Sequence, residues 1–248
     1  MLVSIRLALA TALLATVAAT HAGPTIGQGT WQDELHARDV NGHAVALDSP
    51  SAAFFWNSRT NLTWLANMNA NGLISWGSAM AWADALTVGG FTDWRLPNVI
   101  DSGTQMNCVY SGTWPCGFNM PMKKDGAYNE MADLWYVTLG NKPVPESCDL
   151  NCYLHPKEGW GLTNTAYFQN MVSDGYWSGM DYVNPAQGKA WFFNADDGGQ
   201  SFYTKSFSLY AAAVRSGDVL TVPEPQSLAL ALTALAGLGV SLRRQRAA

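Results

Sequence analysis

The sequence predicts an α+β fold: a single domain with two short helices, an antiparallel sheet and long loops. Three observations carry this. Apolar residues recur at helical spacing in two segments of the first half, and the last third alternates short apolar runs with turns. Turn pairs punctuate the chain at Asn41-Gly42, Asn71-Gly72, Asp125-Gly126, Asp174-Gly175 and Asp197-Gly198. No repeat with a period of about 20 to 50 residues is present, which excludes solenoids and propellers.

Taken in order, strands are expected near 44–47, 53–56 and 62–64. The first helix, 75–86, places Trp76, Met80, Ala83 and Leu86 on one face and stops at Gly89-Gly90. The second, 129–139, groups Met131, Leu134, Trp135 and Leu139, with Asn129 as its cap and Gly140 closing it. The last third reads as a meander of strands at 175–178, 189–194, 201–205 and 209–214, with a turn at Asp196-Asp197-Gly198-Gly199. Ala190-Trp191-Phe192-Phe193 is continuously apolar, the pattern of a strand buried on both faces.

The two ends read differently. Residues 1–22 combine Arg6, an apolar run and small residues Thr20 and Ala22 before a cleavage point, the pattern of a signal peptide. At the other end, Val222-Pro223-Glu224-Pro225 precedes an apolar run at 227–242 and then Arg243, Arg244 and Arg246. That leaves 23–52 as an N-terminal strand and lead-in and 53–221 as the domain. Residues 23–221 carry 10 basic and 18 acidic side chains, a net charge of −8. Nucleic-acid binding needs clustered cations to release counterions, so it is excluded as a function class. All 29 aromatic residues lie in the same segment, which excludes disorder as its main state.

Cys108, Cys116, Cys148 and Cys152 form an even set in an exported chain and are expected to be disulfide-bonded. Three connectivities are open; turn-rich segments between the members favour Cys108 with Cys116 and Cys148 with Cys152. Their spacing lacks the C-x2-C pairs of a zinc site. The three histidines of the segment, His36, His43 and His155, are too scattered for a metal site, and His36 and His43 are expected to be solvated. No nucleophile elbow or phosphate loop is present, because the serine of Gly175-Tyr176-Trp177-Ser178-Gly179 is out of place for one.

Several motifs together resemble a known family. These are Asn61-Leu62-Thr63-Trp64-Leu65, the 76–82 segment, Gly90-Phe91-Thr92-Asp93-Trp94-Arg95-Leu96-Pro97, Tyr176-Trp177-Ser178 and Ala213-Val214-Arg215. The family comprises exported bacterial domains named after the C-terminal domain of the Legionella collagen-like protein. The resemblance spans about 53–219 and implies a fold like that of C-type lectins, with adhesion to polysaccharide or matrix as the founding role. Between Pro97 and the second helix this chain inserts roughly thirty residues, where the family's pattern gives no guide. The kindred formylglycine-generating enzymes hold copper on a late cysteine pair, and no cysteine follows Cys152. The C-terminal pattern resembles the PEP-CTERM sorting signal, which implies a transient stay in the inner membrane, processing by an exosortase and a producer of extracellular polysaccharide.

The expected function is therefore that of a non-enzymatic cell-surface or matrix protein with a weak glycan-binding face; a secreted carbohydrate-active enzyme is the alternative. Trp64, Trp76, Trp82, Trp94, Trp135 and Trp191 are expected in the core. The glycan face is assigned to Trp177, Asp181, Tyr182, Asn184, Asp196 and Asp197, with rings to stack on a sugar and oxygens to accept from its hydroxyls. No cofactor is expected, although Asp181, Asn184, Asn194, Asp196 and Asp197 offer the hard oxygens that calcium uses.

Overall fold

The computed structural model describes residues 22–100, 123–143, 159–182 and 188–220. The signal-like and sorting-like ends, all four cysteines, Asn184 and His155 lie outside the described residues.

A four-stranded antiparallel sheet is ordered β1 (Leu35–Arg38), β2 (Phe54–Asn57), β3 (Leu62–Leu65), β11 (Val214–Ser216). Phe55 faces Ala37 on one side and Trp64 on the other, and Trp64 in turn faces Val214. With period 2, these side chains fall on one face and enter the main core beside Trp31, Met131, Leu134 and Trp135. The opposite face presents Phe54, Leu65 and Ala213 to Trp94 and Val219. Burial on both faces is why β2 and β3 read as apolar runs rather than alternating ones.

The first helix, α2 (Trp76–Ala85), follows the short strand β4 (Ile74–Ser75), and Ser75 caps it by accepting from Ser78 N–H. Its fully buried residues are Ala79 and Ala83, four apart, and these small side chains let the helix lie close against Trp177, Ala190 and Leu209. Trp76 and Met80 of the predicted face pack at the margin of that cluster. The second helix begins as α3 (Glu130–Asp133), with Asn129 accepting from Ala132 N–H as expected, and continues as a π-helical turn at Leu134–Thr138. At Gly140 the backbone has φ +67°, and a Cβ there would collide with the backbone of Gly29. Only glycine closes the helix at that point.

In the second sheet, β7 (Gly175–Asp181), β8 (Lys189–Asn194) and β9 (Gly199–Thr204) form the expected antiparallel meander. Ala190, Trp191 and Phe193 of β8 are fully buried, and they belong to three different apolar clusters.

Three expectations need correction. Residues 44–47 form one isolated bridge, Arg38 with Ala44, rather than a strand. The N-terminal strand lies earlier, at β1, after a short helix α1 (Trp31–Glu34). Residues 209–214 do not complete the meander: β10 (Ser208–Leu209) pairs with β4 while β11 pairs with β3. Between them Ala211, Ala212 and Ala213 are each buried, and each enters a different cluster. Three consecutive methyl side chains are small enough for the backbone to cross the middle of the domain and tie the two sheets together.

All four arginines of the described residues are paired with carboxylates: Arg38 with Asp218, Arg59 with Glu34 and Asp133, Arg95 with Glu130, and Arg215 with Asp93. The last three link α1, the turn between β2 and β3, the second helix, the segment after α2 and β11. Charge pairing thus fixes where the elements sit.

Candidate functional site

The element Asp93-Trp94-Arg95-Leu96-Pro97 is built residue by residue into the scaffold. Asp93 takes φ +63° and accepts from the Arg215 guanidinium. Trp94 is buried and stacks on Phe54, with ring centroids 5.5 Å apart, while its Nε1–H donates to Phe91 O at 3.0 Å. Arg95 exchanges two backbone hydrogen bonds with Val214, both 2.9 Å, and its guanidinium donates to both oxygens of Glu130 at 2.7 Å. Leu96 joins the cluster under α2, and Pro97 O accepts from Gly179 N–H.

The chain leaves this element at Asn98, whose N–H donates to Glu130 at 2.7 Å and whose carbonyl accepts from Glu130 N–H at 3.0 Å. This double tether holds 98–100 against the start of the second helix. Opposite stands the hairpin of β5 (Lys123–Lys124) and β6 (Ala127–Tyr128), turning at Asp125-Gly126. Between them opens a cavity of about 580 Å³. Val99, Ile100 and Met180 of β7 supply apolar surface, and Tyr128 with Ala127 forms the far wall. The Tyr128 hydroxyl is fixed by donating to Arg59 O at 3.4 Å.

Among the described residues Asn98, Asp125 and Glu130 line the cavity with polar side chains. Glu130 is committed to Arg95 and to Asn98 N–H. The Asn98 amide and the Asp125 carboxylate have no side-chain hydrogen-bond partner among the described residues. A cavity of mono- to disaccharide size, with one aromatic wall, apolar surface and uncommitted hydrogen-bonding groups, has the features of a small-ligand site.

The described residues assigned to a glycan face from sequence, all but Asn184, do not assemble into one. Trp177 and Tyr182 are buried, so neither ring offers a face to a ligand. Trp177 packs under α2 and donates to Ile74 O at 3.0 Å; Tyr182 packs on Trp191 and Phe202. The reason is strand geometry. Both flank polar residues in sequence, but residues 175–178 of β7 are buried on both faces, and beyond a register shift between Trp177 and Asp181 the chain leaves Asp181 exposed and sends Tyr182 into a separate apolar cluster. Asp181 pairs with Lys205, whereas Asp196 and Asp197 lie in the β8–β9 turn at the other end of the sheet. Asp181 sits opposite Ala190, and Asn194 is four residues further along β8, about 13 Å at a strand's rise. Of the five oxygen-bearing residues weighed for calcium, Asn184 lies outside the described residues and Asp181 lies apart from Asn194, Asp196 and Asp197; among the described residues no group of three or more His, Cys, Asp or Glu side chains is placed to hold a metal. Asp197 accepts from Gly199 N–H, as its hairpin-turn reading expects. Asp196, at the surface, accepts from the Ser173 hydroxyl.

Of the tryptophans assigned to the core, Trp64, Trp94, Trp135 and Trp191 are buried, and Trp76 and Trp82 are half-buried. His43 is half-exposed beside Asp39, as a solvated histidine should be, while His36 rests against Trp56. Among the described residues the exposed rings are ones that the sequence did not single out: Tyr203 and Phe207, with centroids 4.3 Å apart. Sequence reasoning also missed Asn98, Tyr128 and Met180 as site residues. The signal that could have found part of the cavity was the Asp125-Gly126 turn, which placed a carboxylate at a loop tip.

The sequence model of the Lcl C-terminal domain matches residues 55–215. No curated protein and no solved structure matches the chain. Among the described residues no helix is long and apolar enough to cross a membrane, and the 227–242 run lies outside them.

Proposed function

The chain belongs to the Lcl C-terminal domain family, a family of extracellular surface proteins, and from that premise we propose that it is a non-enzymatic, exported protein that holds a saccharide unit of extracellular polysaccharide in the Asn98–Tyr128 cavity. One observation carries the reading. A concave site brings an aromatic wall, apolar surface and the uncommitted side chains of Asn98 and Asp125 together, the division of labour by which a sugar's C–H face and hydroxyls are held.

Two carboxylates in one cavity favour the carbohydrate-active enzyme as a second reading, since glycoside hydrolysis uses such a pair. Against it, Glu130 is tethered by Arg95 and by Asn98 N–H, which makes its carboxylate a brace for the cavity wall. The expected result is binding of the producing cell's exopolysaccharide without release of reducing ends. Tyr128→Ala is expected to weaken binding at least about ten-fold, or ~1.4 kcal/mol, while Tyr203→Ala with Phe207→Ala leaves it unchanged. Calorimetry with the purified protein reads both. Loss in the Tyr203 and Phe207 variant alone would move the site to that exposed surface, and reducing ends would establish the enzyme.

Location rests on the tail rather than on the domain. The run at 227–242 holds 16 residues, about 24 Å as a helix at roughly 1.5 Å per residue, with Arg243, Arg244 and Arg246 retained on the cytoplasmic side. Val222-Pro223-Glu224-Pro225 marks the place of exosortase processing. Cells making a chain that ends at Thr221 are expected to release it as folded, soluble protein. Retention of that chain in the membrane fraction would refute the sorting role.

A further inference from the structure

We infer that the cavity selects an amino sugar, a hexosamine with a free ammonium group, over its neutral counterparts; this rests on the saccharide reading of the same cavity.

The argument starts from charge. Of the two carboxylates lining the cavity, Glu130 is neutralised by Arg95, whose guanidinium lies along both of its oxygens at 2.7 Å. Asp125 has neither an ion-pair nor a hydrogen-bond partner among the described residues. Among the described residues the uncompensated charge on the cavity lining is thus a single negative one, at an exposed position on the tip of the β5–β6 hairpin. On that hairpin the Lys123 ammonium is held over the Tyr128 ring, 4.7 Å from its centroid and 3.5 Å from the hydroxyl. It spends its charge on that ring and is not part of the lining.

A ligand that fits must therefore bring a cation to Asp125, hydroxyls to the Asn98 amide and an apolar face to Met180, Val99 and Ile100. An amino sugar carries all three on one ring. A charge-assisted hydrogen bond to Asp125 is roughly twice as strong as a neutral one. The net charge of −8 over residues 23–221 draws cationic ligands and disfavours anionic ones. A purely aliphatic amine would satisfy Asp125 and leave the Asn98 amide without a partner.

The test uses the purified protein and three probes, glucosamine, glucose and N-acetylglucosamine, with binding followed by calorimetry at about pH 6. Glucosamine is expected to bind at least ten-fold more tightly than the two uncharged sugars. Asp125→Asn is expected to abolish that preference while leaving weak binding of all three, and Asn98→Ala to weaken all three alike. The preference should also vanish near pH 9.5, where an amine of this kind is neutral. Equal binding of the three sugars, or a preference that survives Asp125→Asn, overturns the inference and leaves the saccharide reading standing. If neither the sugars nor the exopolysaccharide bind, the saccharide reading falls, and the inference with it.

Discussion

Trp94→Ala is expected to destabilise the domain by about 3 to 5 kcal/mol, the range for truncating a buried large aromatic. The ring is 2% exposed, stacks on Phe54 at an interplanar angle of 24° and shares its cluster with Leu65, Ala213 and Val219. Phe54 and Leu65 belong to β2 and β3, and Ala213 adjoins β11, so one indole covers the outer face of three strands. Its Nε1–H donates to Phe91 O, so truncation also removes one of that carbonyl's two donors, the other being Val88 N–H. The neighbours are backbone-paired strands that cannot collapse into the gap, which argues for the upper part of the range. Against a total stability of roughly 5 to 15 kcal/mol, much of the margin is lost. Chemical denaturation followed by far-UV circular dichroism measures it. An unchanged midpoint would contradict the placement of the ring.

Removing the Arg59 guanidinium is expected to have an effect of similar size with a distinctive pH dependence. Arg59 donates to Asp133 through Nη1 and Nη2 at 2.9 and 2.8 Å and to both oxygens of Glu34 at 2.8 Å. The hydrogen bonds to Asp133, foremost, hold the guanidinium proton more tightly than usual. Burial pushes the Asp133 carboxyl above its ordinary range, opposed by the same Arg59 bonds. Arg59→Met leaves Asp133, 2% exposed, without its cation. Breaking a buried pair in this way costs about 3 to 5 kcal/mol.

The sign of the pH effect follows from Asp133. Once Arg59 is gone, burial alone acts on that carboxyl and raises it further, so the folded state binds its proton more tightly than the unfolded chain does. A raised carboxyl stabilises the folded state fully below the unfolded pKa, and that contribution is lost as pH rises through the folded one. The gap between variant and wild type is therefore widest at neutral pH and narrows as the medium is acidified. A gap independent of pH would mean that the loss comes from packing rather than from the stranded carboxylate.

Much of the scaffold was legible in the sequence because single residues with local jobs marked it. Asn129 announced a helix start, Gly140 a stop, and Ala190 to Phe193 a strand covered on both faces; each effect acts within a few residues of its cause. The 208–216 segment was not legible. Leu209 through Val214 is apolar enough for a strand, and only the competition between two partners, β4 and β3, divides it. β1 was missed for a related reason: at four residues, Leu35 to Arg38 is too short to assert its alternation.

The site was less legible than the fold. Trp177 and Tyr182 stand beside serine and aspartate in sequence, which suggests exposure, yet β7, covered on both faces at 175–178, buries one ring and the packing of Val99 and Trp191 buries the other. The cavity draws on Asn98, on Asp125 and Tyr128 and on Met180, far apart in the chain. What unites them is tertiary: the Arg95 to Glu130 pair and the exchange of backbone bonds between Asn98 and Glu130. No local pattern records that.

The account's central claim is that the Asn98–Tyr128 cavity is the saccharide site, and amide chemical-shift mapping of the isotopically labelled protein tests it most directly. Titration with short oligosaccharides from the producing cell's exopolysaccharide should shift the amides of Asn98, Ile100, Ala127, Tyr128 and Met180 in a saturable manner. The amides of Tyr203 and Phe207 should stay in place. Saturable shifts centred on Tyr203 and Phe207, with the cavity amides unmoved, would contradict it.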